Sequence, residues 1–342
     1  MRVWELQRFG VDGLVQTERP FPTPGPGQVV MRVGAVSLNY RDALVVDGSY
    51  FPDLPLPFIP MSDAAGRIAS VGSSVRRFRA GDRVTTHFIP RWIDGDGTAD
   101  CDYSTIGAPL PGVLAEYVVC DEDALVGTPV YLSDDQASTL PIAALTAWTA
   151  LFGRRALQPG QSVLVEGTGA VSVFALQLAA AAGARVIVTS SSDEKLARAR
   201  ALGAADGINY VSHPDWEQRA LELTGGRGID HVVEVVGGSN VPRAIACLAR
   251  GGHLALIGGL DSFSTAFDFL PFLFKRASIS GVSVGSRRSF EHMNRAFETW
   301  CLQPVIDTVY PWSAAAAALA HLRRGAFGKV VIQSPRDSEE TS

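Results

Sequence analysis

From residue 1 to about 130, apolar and polar residues alternate in short runs such as QVVMRVGAVSL, GRIASVG, AGDRVTTHF and GVLAEYVV, punctuated by clusters such as PTPGPG and PDLPLP. A two-residue period broken by proline and glycine predicts an irregular β-rich lobe. After about 131 the period changes. SVLVEG, ARVIVTS, HVVEVVG and HLALIGG are short apolar runs. Between them lie the helical patterns AVSVFALQLAAAAG, SDEKLARARALG, DWEQRALELTGG and NVPRAIACLARGG, each closed by a glycine suited to a helix end. Strand alternating with helix predicts right-handed crossovers and a parallel sheet covered on both faces, with SISGVSVG as its sixth and last strand. The closing stretch, from SFEHMNRAFETWCL to GKVVIQ, returns to mixed helix and strand and is expected to fold back on the first lobe. The expected fold class is thus α/β, with a doubly wound parallel sheet over 131–287 and a second, β-rich domain formed by 1–130 and 288–342.

Composition narrows the class without naming a function. The 342 residues are 46% hydrophobic and 19% charged, a globular balance with room for two cores. A formal net charge of −5 and the lack of a basic run argue against a nucleic-acid partner. The longest apolar stretch, FDFLPFLF, is broken by Pro271 and too short to span a membrane; it is expected to be buried or to face another subunit. MRVWELQRFG shows no signal-peptide pattern, so a cytoplasmic location is expected. Cys101, Cys120, Cys247 and Cys301 are scattered, which suggests neither a disulfide framework nor a cysteine zinc site. The segment 90–112 is a long polar, glycine-rich excursion of the kind that is usually functional or mobile.

The chemistry begins at VEGTGAVSVFALQ. A strand runs into Gly167-Thr168-Gly169-Ala170-Val171-Ser172 and then a helix, giving G-x-G-x-x-S. The first glycine permits the turn and the second lets backbone amides approach a diphosphate, to which the helix N-terminus adds partial positive charge. Glycines here could simply end a strand and start a helix, but four further strand and helix alternations favour a dinucleotide turn. Ser172 in place of a third glycine is expected to hold the helix slightly farther from the strand. About 20 positions on, where NAD-preferring turns place an acid, stands Ser190, followed by Ser191 and Lys195. Hydroxyls and a lysine accept a 2′-phosphate, so NADP(H) is the expected cofactor. The plain alternative is that Ser191 and Lys195 are only i,i+4 neighbours on a helix.

These motifs, with INY and GKVVI, resemble the medium-chain dehydrogenase/reductase family in its zinc-independent branch, the quinone oxidoreductase-like and alcohol dehydrogenase-like proteins. The resemblance covers nearly the whole chain. It implies a Rossmann domain and a GroES-like catalytic domain with an active-site cleft between them, and a homodimer paired through sheet edges. It also implies cofactor contacts at Thr146, Tyr210, Val236, Gly258, Leu260 and Val284. Each has a bland alternative, since glycines and valines end strands in any parallel sheet. Where zinc-dependent relatives carry their three ligands, the matching text puts Asn39, Ser62 and Ile142. A catalytic zinc needs nitrogen, thiolate or carboxylate ligands, so no metal is expected. His87, the one histidine of the first lobe, reads as structural.

Without a Lewis acid, charge on a carbonyl oxygen must be held by hydrogen bonds, which suits hydride delivery to a conjugated double bond. By the same resemblance Asn39 is the expected hydrogen-bond donor, Tyr40 the acid and Tyr50 a second candidate on a loop over the cleft. Arg41 and Asp42 could instead form an ion pair that fixes the loop. The expected function is an NADPH-dependent, metal-free oxidoreductase acting on an α,β-unsaturated carbonyl, quinone or small ketone. The alternatives are a zinc-independent alcohol dehydrogenase and a non-catalytic NADP(H)-binding sensor or scaffold.

Overall fold

Strands of the first lobe pair antiparallel in the computed structural model, which describes residues 1–98 and 104–335. The chain forms two compact units, Met1–Leu145 with Gly285–Ser342, and Thr146–Val284. In the first unit β1 (Arg2–Leu6) and β2 (Leu14–Glu18) make a two-stranded sheet. β3 (Gln28–Ser37) pairs with β4 (Asp63–Val71), which leads on to β5 (Arg83–Thr86). β6 (Tyr117–Asp121) lies on β3, and β7 (Leu125–Gly127) on β5. Val29, Met31, Val33, Val84, Leu114 and Leu125 are buried together, the inward half of the alternating pattern. Two short helices follow from the loops: α1 (Tyr40–Val46) and α2 (Asp134–Ala137), the second started by a Ser133–Gln136 capping box. A π-helical turn over Leu140–Ala144 then runs into α3 (Leu145–Phe152).

The second unit alternates as its periodicity predicts. Its strands are β8 (Ser162–Glu166), β9 (Arg185–Ser190), β10 (Asp206–Asn209), β11 (Ile229–Glu234), β12 (Leu248–Leu256) and β13 (Ser278–Gly281). Between them run α4 (Ala170–Ala181), α5 (Asp193–Ala201), α6 (Trp216–Leu223), α7 (Asn240–Ala246) and α8 (Phe269–Lys275). All neighbours are parallel, in the order β10-β9-β8-β11-β12-β13. This is the Rossmann order, which reverses between β8 and β11 and opens a crevice at the carboxyl ends of those two strands. β8 and β11 are buried along their whole length, as a sheet covered on both faces requires.

Of the two alternatives for FDFLPFLF, burial within its unit is excluded: Phe269, Leu270, Leu273 and Phe274 of α8 are all exposed, which leaves the subunit-facing one. Hydrophobicity alone does not say which element covers a seven-residue helix: α8 turns Phe272 to the core and ties Lys275 to the carbonyls of Ile245 and Ala246, and leaves its other apolar side chains outward.

The chain returns to the first unit as α9 (Arg287–Trp300), β14 (Ile306–Tyr310), α10 (Ala315–Gly325) and β15 (Lys329–Gln333). β15 runs antiparallel to β3 and carries β14 on its far side, so the closing stretch does fold back on the first lobe. Part of the 90–112 excursion is anchored there: Arg287 and Arg288 donate backbone N–H groups to the carbonyls of Trp92 and Ile93. Cys101 and its neighbours at 99–103 lie outside the described residues. No described helix is long and apolar enough to cross a membrane.

Candidate functional site

The first cluster is polar and sits inside the β-rich unit. Asn39 caps α1, and the Asp42 carboxylate returns to accept from the Asn39 N–H at 2.8 Å. Ser62 Oγ donates to the other oxygen of Asp42 at 2.8 Å. Asn39 Nδ2 donates to Asp63 Oδ2 at 2.9 Å, and Asn39 Oδ1 accepts from Lys329 Nζ at 2.8 Å. Lys329 also donates to the carbonyl of Leu38 at 2.8 Å and stands 3.7 Å from Asp63 Oδ2. The π-helical turn adds the Ile142 N–H, 3.3 Å from the same Asp63 oxygen. Burial pushes the Asp63 carboxyl up to about 7, against the pull of the Lys329 charge and the Asn39 hydrogen bond. Burial likewise lowers Lys329, opposed by the charges of Asp63 and Asp42.

The loops around this cluster are held tightly. Arg41 donates to the carbonyls of Ile106 and Ala108 at 3.3 and 3.1 Å and lies 3.7 Å from Asp42. Its guanidinium stacks 4.8 Å over Phe88 and 5.6 Å from the ring centre of Tyr50. The second half of the excursion is thereby tied to α1. A Cβ on Gly107 would sit 2.6 Å from Met61 O and Ser62 Oγ, so no larger residue fits there. Met61, buried beside Ser62, is held at φ 71, a conformation that costs a side-chain-bearing residue about 1–2 kcal/mol. Tyr40 and Tyr50 stand 53% and 50% exposed, whereas Asn39 is 7% exposed. Arg41 and Asp42 thus lock the loop, and the amide of Asn39 is the most constrained of the three expected catalytic groups. His87 is fully buried with Nε2 on the carbonyl of Gly285 at 3.0 Å, and burial drives its pKa down to about 4.

Asn39, Ser62 and Ile142 offer an amide bound on both sides, a hydroxyl already given to Asp42, and an alkyl chain. That donor set does not fit a catalytic zinc. Among the described residues no group of three His, Cys, Asp or Glu is arranged to hold a metal ion.

The second cluster lies in the Rossmann unit at the β8–α4 turn. Gly167 has φ 70, which the turn requires and glycine accepts at no cost. A Cβ built on Gly167 or Gly169 would meet nothing within 4 Å, so the space above the turn is open. Gly169 caps α4 without a side-chain hydrogen bond, which leaves the amides of Ala170 and Val171 to a ligand. Ser172 is buried, and its Oγ donates to the carbonyl of Glu166 at 2.7 Å. The hydroxyl in the place of the third glycine is therefore used to tie helix to strand. These residues fit a dinucleotide diphosphate.

At the end of β9, Ser190 is buried with its Oγ accepting the N–H of Ser192 at 3.2 Å, while Ser191 is exposed. Lys195 lies in the first turn of α5, whose N-cap is Ser192. Tyr210 donates its N–H to the carbonyl of Ser190 at 3.1 Å and is itself 43% exposed, which brings its backbone beside Ser190. The loops after β11 and β12 also interlock: Asp261 N donates to Val236 O at 2.8 Å, and a Cβ on Gly258 would come within 2.5 Å of Val235 O. Leu260 projects 57% exposed from that loop. Val284, β-branched, is held at φ 69, a further strained position. Thr146 is buried in α3, and no hydrogen bond among the described residues ties its side chain to these loops.

Several groups at the site escaped the sequence reading. Lys329 and Asp63 hold Asn39, and at the switch point Glu166 and Glu234 face each other across neighbouring strands. Asn240 Nδ2 donates to both carboxyls, at 2.8 and 2.9 Å. Glu234 also accepts the N–H groups of Val236 and Gly237. Burial, reinforced by the Glu234 charge and a hydrogen bond between the two carboxyls, raises Glu166 well above the carboxylate range. The visible signal was an acid closing each of two apolar runs, SVLVE and HVVE.

Two family descriptions match the chain: residues 25–130 an alcohol dehydrogenase GroES-like domain, and residues 170–299 a zinc-binding dehydrogenase. A zinc-type alcohol dehydrogenase-like protein of Schizosaccharomyces pombe is 42% identical over 332 residues, covering 95% of this chain and 96% of that one. Human quinone oxidoreductase is 28% identical over 343 residues, 97% of each chain. The crystal structure of a protein from Sinorhizobium meliloti 1021, provisionally designated an alcohol dehydrogenase, superposes with a TM-score of 0.92. It is 45% identical and covers 97% of this chain and 98% of that one. A structure named NAD-dependent alcohol dehydrogenase gives 0.88 at 36% identity, over 98% and 100% of the two chains. The fold and site define an oxidoreductase that uses a nicotinamide cofactor. The chain belongs to the medium-chain dehydrogenase/reductase family.

Proposed function

We propose that this protein is an NADPH-dependent, metal-free oxidoreductase that delivers hydride to an α,β-unsaturated carbonyl, a quinone or a related small ketone. Two observations, one within each unit, carry the reading: an open turn over Gly167–Ser172 that fits a diphosphate, and a constrained donor, Asn39, held between Lys329 and Asp63. Bound NADPH supplies the hydride. Amides from Gly167 to Ser172 bind the diphosphate, and Ser190, Ser191 and Lys195 take the 2′-phosphate. Asn39 donates a hydrogen bond to the carbonyl oxygen as charge develops there. Tyr40, or Tyr50 beside Arg41, gives the proton that completes reduction of the double bond, so each turnover consumes one hydride and one proton. The substrate is a small molecule, and neither nucleic acid nor a membrane is needed.

A second reading, metal-free dehydrogenation of an alcohol, draws on the alcohol dehydrogenase names of several relatives. One assay separates the two. Purified protein is given NADPH or NADH with a panel of enones, quinones and aldehydes, and NADP+ or NAD+ with simple alcohols, each with and without a chelator. Chelator-resistant NADPH oxidation by enones or quinones is expected. Turnover of alcohols alone selects the second reading, and loss of activity to chelator removes both.

A further inference from the structure

Among the described residues Lys329 is the one fully buried lysine or arginine. Burying an ammonium and a carboxylate together stabilises a fold less than a well-packed apolar pair of the same shape, so the pair calls for a reason beyond packing. Its contacts supply one. An ammonium only donates, and Asp63 Oδ2, which also faces the Ile142 N–H at 3.3 Å and Lys329 Nζ at 3.7 Å, serves as an acceptor. The atom of Asn39 facing Lys329 at 2.8 Å must therefore be Oδ1, and the atom facing Asp63 at 2.9 Å must be Nδ2. Two independent partners impose the same amide orientation, with no second flip state of comparable energy. Nδ2 carries two hydrogens; Asp63 takes one, and no described residue takes the other. A cation on Oδ1 also draws electron density from the amide and makes the remaining N–H a stronger donor.

We infer that Lys329 is a positioning residue for hydride transfer, locking the Asn39 amide so that its second N–H meets the substrate's carbonyl oxygen, and strengthening that bond through its charge. A cation acting through an amide thus supplies the stabilisation that a bound metal ion supplies in zinc-dependent relatives. This rests on the reading of Asn39 as the donor to substrate. It adds a residue 290 positions away in sequence, on β15, whose ammonium is one hydrogen bond from Asn39 and two from the substrate oxygen.

Two measurements test it. Lys329→Met combined with Asp63→Asn removes both charges at nearly constant volume, and the amide oxygen introduced in place of the carboxylate can still accept from Asn39. The double variant is expected to keep the parent's circular dichroism, and NADPH affinity and substrate KM within about threefold, while kcat falls about 100-fold. A kcat within about threefold of the parent overturns the proposal. The second measurement needs no variant to fold. With selective 15N-asparagine labelling, the parent's Asn39 side chain should show two distinct protons, one shifted downfield by Asp63, with slow exchange between them. A pair resembling free asparagine overturns the proposal, as does a kcat loss in the double variant with the Asn39 resonances unmoved. If the parent turns over nothing on the full panel, the functional reading falls, and the resonances alone decide whether Lys329 orients Asn39.

Discussion

Glu166 and Glu234 end neighbouring parallel strands in register and share one donor, Nδ2 of Asn240, at 2.8 and 2.9 Å. Glu234 already accepts two backbone N–H groups, whereas burial beside it raises the Glu166 carboxyl well above its ordinary value. The pair lies at the strand-order reversal, with one acid adjoining the diphosphate turn and the other holding the loop of Val236.

That arrangement fixes a pH dependence. Glu166 has its folded pKa raised above the unfolded value, so its contribution to stability is fully present below about 4.5 and is lost as pH rises through the folded value. Glu166→Gln mimics the protonated acid at every pH and can donate to Glu234. Urea unfolding should show the variant equal to the parent near pH 4 and more stable by about 1–2 kcal/mol near pH 8.5. Parallel curves for the two proteins across that range would show that Glu166 does not hold the proton.

Gly169 gives a clean test of the turn. Its φ of −72 suits any residue and a Cβ there touches nothing within 4 Å, so Gly169→Val should leave the melting temperature within a few degrees of the parent. The isopropyl group fills the space a diphosphate would take. NADPH affinity, read by fluorescence titration, should fall at least about 100-fold, or about 3 kcal/mol. Unchanged affinity would mean that the dinucleotide lies elsewhere.

The proposed preference for NADPH rests on Ser190, Ser191 and Lys195. Ser190→Asp keeps an acceptor for the N–H of Ser192 and introduces a carboxylate that repels a 2′-phosphate but accepts ribose hydroxyls. NADPH should bind about tenfold more weakly in this variant and NADH more tightly, and Lys195→Ala should lose about tenfold for NADPH alone. A parent that binds NADH more tightly than NADPH contradicts the assignment at once.

The legible part of the molecule was what is local. Change of period marked the parallel sheet, and the glycine spacing with its flanking strand and helix marked the turn, because both depend on residues within a few positions of each other. Asn39 was visible through its place in SLNYRD. What holds Asn39 was not, since Asp63 and Lys329 come from strands 24 and 290 residues away. The available clue was a lysine opening the apolar strand KVVI, a charge where burial was expected. Glu166 escaped for a related reason: an acid ending an apolar strand reads as solvent-facing until its neighbour strand is known. With α8 the sequence left two alternatives open, because a run of phenylalanine and leucine specifies that something must cover it but not what.

The covering of α8 is the last prediction. Phe269, Leu273 and Phe274 are 69%, 60% and 65% exposed, and Phe263 in the preceding loop is 86% exposed. Apolar side chains clustered in this way mark an association surface more often than free surface. β13 beside them is the outer strand of its sheet, with one row of backbone groups unpaired within the sheet. We propose that a second copy of the chain covers both, edge to edge, as a two-fold pair in which the same patch meets itself. Light scattering should then return twice the 36.4 kDa chain mass. Phe269→Glu with Phe274→Glu should yield a monomer, because burying like charges against each other across a two-fold axis is unfavourable. The Rossmann turn is untouched by these changes, so the monomer should still bind NADPH. A parent that runs as a monomer at micromolar concentration, or a charged variant that stays dimeric, would show that something else covers α8.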